Sequence, residues 1–184
     1  MLVSLRLTAS ALSCCIAVSA ASQGTGVLQQ SDLAKPDVVE AKLRAGVSAA
    51  DKEMAKRFFA YGSKKLPFTD GTNNWGPILK AFGESAQFNP TPKNLSLYAE
   101  ATLRSWREWS SVPKEKLQEA KRQALTEAAG IYDSALAANR VYRELNDSEV
   151  QTIGNHRDCI RTYLSKQKTD ASCKPVVWIG IIHD

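Results

Sequence analysis

From Lys114 to Leu145 the chain runs without a proline and with one glycine, Gly130, through a stretch dominated by Ala, Leu, Glu, Lys, Arg and Gln. These are the strongest helix formers, so the stretch predicts one helix of roughly 45 Å at 1.5 Å per residue. Leu117, Ala124, Ala128, Ile131, Ala135, Leu136 and Tyr142 give it an apolar side, and Gly130 is the point at which it would bend. Asn146-Asp147-Ser148-Glu149 then reads as a fresh helix start, followed by Val150, Ile153, Ile160 and Leu164 at helical spacing. Two long helices joined by so short a turn must run antiparallel.

The upstream sequence carries shorter helical units. Pro36 to Ala45 is a helix with Gly46 placed to close it. Ser48-Ala49-Ala50-Asp51 opens a second, with Met54, Ala55, Phe58 and Phe59 on its apolar face and Gly62 as its expected end. Ser63 to Pro77 reads as a loop, and a short helix over Ile78 to Ala86 follows. Thr91 or Asn94 can cap the next helix, whose stripe is Leu95, Tyr98, Thr102, Trp106 and Trp109. Beyond Lys168 the chain looks irregular until the β-branched run Val176 to Ile182, the one strand-like segment. The expected fold is all-α: a single-domain bundle of five or six helices over residues 36–184, with an apolar tail. Both N-x-S matches, at Asn94 and Asn146, are accounted for as helix-start residues.

The N-terminus carries a different signal. Arg6 is the only charge before Asp32, Leu7 to Ala20 is apolar, and Val18-Ser19-Ala20 is a small-residue cleavage site. Residues 1–20 therefore read as a signal peptide, and 21–35 as a flexible leader. An uncleaved first helix is the bland alternative. Leu12-Ser13-Cys14-Cys15 loosely resembles a lipidation box, but the apolar run continues past it. The stretch is too short to span a bilayer. Export makes the chain periplasmic or secreted, and loss of Arg6 lowers the net charge of +5 by one.

Two cysteines survive such processing, Cys159 and Cys173, and in an oxidising compartment an even pair reads as a disulfide. A zinc set with His156 and His183 is the chemical alternative, but the spacing fits no familiar finger and no metal is assigned. No G-x-S-x-G, H-E-x-x-H or phosphate-cradling glycine loop is present, so no catalytic residue or cofactor is assigned. His156 reads as a surface histidine. The interleaved charge carries no nucleic-acid motif. The densest basic segment, Lys52, Lys56, Arg57, Lys64 and Lys65, is an exposed helix face that could meet an anionic surface.

The candidate binding residues are Trp75 with Asn73 and Asn74, in a polar turn segment, and Trp178 in the tail. The class of small, exported, disulfide-stapled helical chains includes bacterial immunity proteins and enzyme inhibitors. The expected function follows that class: a non-enzymatic binding protein, inhibitor- or immunity-like, whose partner in the bacterial envelope is a protein, with glycan or wall polymer as the further option. The alternatives are a wall-acting hydrolase using carboxylates among Asp70, Glu84, Glu100 and Glu108, and an assembly component that donates its tail as a strand.

Overall fold

Residues 26–66, 75–106, 113–166 and 172–181 are described by the computed structural model. Among them are seven α-helices and no strand: α1 (Pro36–Ala45), α2 (Ala49–Lys65), α3 (Trp75–Phe88), α4 (Pro92–Ser105), α5 (Lys114–Tyr142), α6 (Asp147–Lys166) and α7 (Lys174–Trp178). The expected signal peptide and the residues up to Thr25 lie outside the described residues, as do Asn73, Asn74, Trp109 and His183.

Local chemistry sets most of the boundaries. Gly46, at φ 93°, closes α1 where an L-residue would be strained. The Ser48 hydroxyl accepts from the Asp51 amide at 3.0 Å, and Thr91 Oγ1 from the Asn94 amide at 3.3 Å, so α2 and α4 start where side-chain caps stand. At α6 the capping is reciprocal. The Glu149 amide donates to Asn146 Oδ1 at 2.9 Å, and the Asn146 amide donates to Glu149 Oε2 at 2.8 Å. Helix α5 stops at Tyr142, short of Leu145, because Arg143 takes the left-handed conformation that turns the chain back.

Helix α5 is the hub, with α1, α4 and α6 packed around it. Its buried positions are mostly small: Ala124, Ala128, Ala129, Ser134, Ala135, Ala137 and Ala138. Leu117 is only half-buried, and Tyr142 is exposed. Helix α6 runs antiparallel to it, since Arg122 reaches the Leu164 carbonyl while Asp133 pairs with Arg157 and Arg161. The other helices continue outward in chain order, α3 against α4 and α2 against α3. Phe59 meets Phe82 at 5.7 Å and Phe58 stacks on Phe88 at 5.8 Å across the α2–α3 contact.

Five sequence expectations are corrected. The described residues hold seven α-helices rather than five or six, because the tail read as strand-like adds one. Helix α2 does not end at Gly62. That glycine is buried inside the helix, and a Cβ there would stand 2.8 Å from Phe82 Cε1, so it serves close packing rather than termination. The 63–77 loop is shorter than expected, because α2 runs to Lys65 and α3 begins at Trp75. The leader is not loose from Gly26 onward: Leu28 donates its amide to the Gln87 carbonyl, Gln30–Asp32 forms a 3-10 turn, and Leu33 is 0% exposed. The strand-like tail is helical from Lys174 to Trp178, with Val176, Val177 and Ile179 buried. A run that is apolar all round looks alike in a buried strand and a buried helix.

The glycines of the long helices give a test with opposite signs. At Gly130 a Cβ would lie 2.8 Å from the Ala34 carbonyl oxygen and 3.0 Å from the Ala34 Cβ, whereas at Gly154 nothing lies within 4 Å. Gly130→Ala should therefore destabilise by ~1–3 kcal/mol despite alanine's better helix propensity. Gly154→Ala should stabilise by up to ~1 kcal/mol. Urea unfolding midpoints of the two variants check both.

Candidate functional site

Two of the residues singled out in the sequence, Trp75 and Trp178, are brought together by a third that was not. The Arg104 guanidinium of α4 lies 4.3 Å from the Trp178 ring centroid and 5.2 Å from that of Trp75. Its Nε also donates to Glu100 Oε1 at 2.7 Å, one turn earlier on α4. A guanidinium between two indole faces gains about 0.5–2 kcal/mol from each. Trp75 is 4% exposed at the head of α3, so it is not the exposed loop anchor that its Asn/Gly/Pro surroundings suggested. Nothing in the sequence marks Arg104, because the pairing joins α3, α4 and the tail.

The aromatic series continues into α6 and α5. Trp178 meets the His156 ring edge-on at 5.1 Å, and His156 lies 5.8 Å from the Tyr132 ring. His156 is thus half-buried between two rings, not the surface histidine expected. Burial is the main cause that pushes its pKa below the ordinary 6.5. Lys174 and Arg104 act in the same direction, and Glu100 opposes them. Tyr132 is fully buried on α5, and among the described residues its hydroxyl has no hydrogen-bond partner. Burial raises its pKa far above the ordinary tyrosine range, so it stays protonated.

His156, Tyr132 and Glu100 also line a groove of about 310 Å³ between α4 and α6, with α5 beneath. Leu97, Tyr132, Leu145 and Ile153 supply its apolar surface, while Lys93, Ser96, Glu100, Glu149, Thr152 and His156 supply polar edges. A wider, shallower depression lies between the 30–34 segment and α5 and α6, lined by Gln30, Glu127, Asp133 and Arg161. Of the four carboxylates considered for hydrolysis, Asp70 and Glu108 lie outside the described residues. Glu84 stands 3.9 Å from Lys80 and Glu100 is tied to Arg104, each within its own helix. Among the described residues no group of three His, Cys, Asp or Glu could hold a metal ion. Asn94 is buried, and its Nδ2 donates to the Asn89 carbonyl at 2.7 Å, which leaves no room for a glycan there.

The tail that carries Trp178 is anchored on three helices. Cys173, at the head of α7, is bonded to Cys159 of α6, with Cα atoms 5.7 Å apart. Lys121 Nζ of α5 donates to the Gly180 carbonyl at 2.9 Å, and Arg104 comes from α4. Cys159 and Cys173 therefore hold the element that holds His156 and Arg104. Compared with protein-family models, with curated proteins and with solved structures, the chain gives no match.

Two outcomes follow from this arrangement. Cys159→Ser should cost ~2–5 kcal/mol, the usual range for a small disulfide-bonded domain. Hydrogen exchange should then show lost protection at the Val177, Ile179 and Ile181 amides, all bonded within the tail. The second outcome concerns pH. His156 has a lowered pKa in the fold, so the unfolded chain takes up its proton first as pH falls below about 6.5. Stability from this group is complete above that value and declines below it. His156→Phe should flatten the dependence of unfolding free energy on pH in this window, as read by denaturant titrations at a series of pH values.

Proposed function

We propose that the chain is an exported, non-enzymatic binding protein, inhibitor- or immunity-like, that acts on a protein partner in the bacterial envelope and holds it at the groove between α4 and α6. The observation that carries this reading is the groove itself: an apolar surface with mixed polar edges, built mainly on α4 and α6, each of which packs on α5. Rigid walls of this kind suit recognition of a preformed side-chain cluster. The carboxylates Glu84 and Glu100 each face a cation on their own helix, an arrangement that serves helix surfaces better than paired acid and base work.

Export rests on the signal-like residues 1–20, and the Cys159–Cys173 disulfide suits an oxidising compartment. No helix among the described residues is long and apolar enough to cross a membrane. The exported protein should begin at Ala21 or Ser22 by intact mass, and a lipid adduct on Cys14 or Cys15 would overturn that reading.

The groove is tested by substituting its edges. Ser96→Arg with Thr152→Arg should weaken capture of the partner from an envelope extract by roughly tenfold or more, while leaving the thermal midpoint unchanged. Glu84→Gln, outside the groove, should leave capture intact. Release of wall fragments by the wild-type protein, lost in Glu84→Gln or Glu100→Gln, would replace binding with hydrolysis as the function.

A further inference from the structure

The exposed side of α2 is laid out as two rows of side chains at four-residue spacing. One row, Glu53, Arg57, Tyr61 and Lys65, is satisfied within itself. Arg57 Nε pairs with Glu53 at 3.2 Å, and Lys65 Nζ lies 5.8 Å from the centre of the Tyr61 ring. The other row, Lys52, Lys56, Ala60 and Lys64, holds no acid, and all four residues are exposed. Among the described residues none of its three lysines has an ion-pair partner.

This second row runs against helix electrostatics. Lys52 and Lys56 are like charges at i and i+4, a spacing that weakens a helix. Lys52 also lies in the first turn, where the macrodipole disfavours cations. Lys64, in the last turn, is favourably placed; the other two are not. Helix α2 packs chiefly on α3 through Ala55 and Gly62, so the row faces away from the protein. Three cations spread over roughly 18 Å of a straight helix at 1.5 Å per residue match a flat, negatively charged surface better than a small ligand. Tyr61, 50% exposed beside the row, is the kind of amphipathic ring that sits at a lipid headgroup boundary.

We propose that this lysine row docks the protein peripherally on an anionic phospholipid surface, independently of the α4–α6 groove. The negative headgroups supply the counter-charge that the fold does not, and each lysine adds to a salt-sensitive attraction.

The test is sedimentation of the purified protein with vesicles of phosphatidylcholine alone and of phosphatidylcholine mixed with phosphatidylglycerol. Binding is expected only to the mixed vesicles, falling steeply with added salt. Lys52→Ala/Lys56→Ala/Lys64→Ala should reduce it by roughly a hundredfold at low salt. A control with the same loss of charge elsewhere, Lys114→Ala/Lys116→Ala/Lys166→Ala, should change it by roughly threefold at most, reflecting net charge alone. Circular dichroism of both triple variants should show the wild-type helix content, since the first removes a repulsion and the second removes exposed side chains. Equal losses in the two variants, equal binding to both vesicle types, or no binding to either would overturn the proposal. So would retention on double-stranded DNA at least as strong as on the mixed vesicles.

Discussion

The close approach of neighbouring helices to α5 is the constraint from which the rest of the structure follows. A helix lined with alanine lets other backbones come near, and α1, α4 and α6 use three different sides of this one. At Gly130 even a methyl group is too much, because the Ala34 carbonyl lies against the helix there. The small residues of α5 let the large side chains of the surrounding elements, such as Leu33, Leu95, Leu103 and Ile160, be buried completely. The larger residues, Ile131 and Tyr132 among them, are then concentrated near the middle of α5, and Tyr132 becomes the inner wall of the groove.

The short-range part of this architecture was legible in the sequence. Ser48, Thr91 and the Asn146–Glu149 pair announced their helices because capping is a matter of three or four neighbouring residues. Pro36 and Gly46 bounded α1 for the same reason. The errors arose where a residue's meaning depends on distant chain. Glycine is both a breaker and a point of close contact, and only the position of Phe82 decides which Gly62 is. The tail carries one local clue to its helix: Pro175 stands in the first turn of α7, a favoured place for proline at a helix start.

The site was legible to a lesser degree. Cys159 and Cys173 could be paired by elimination once the first two cysteines were assigned to a leader. Trp75 and Trp178 stood out as large aromatics, yet their relation to each other lay in Arg104, one of ten arginines in the chain and placed on an amphipathic helix. No local rule distinguishes a guanidinium that will be sandwiched from one that will be solvated. His156 likewise owes its burial to Trp178, twenty-odd residues on, and to Tyr132 on the preceding helix.

The bond between Cys159 and Cys173 ties the placement of one indole to thiol chemistry. Closing it requires an oxidant, and the tail it holds carries the ring that packs on both Arg104 and His156. His156 in turn lines the α4–α6 groove. A reduced chain keeps the helix contacts around α5 that build the bundle and loses the tether that braces His156. The redox state of the surroundings is thereby transmitted to the shape of a surface that contains neither sulfur.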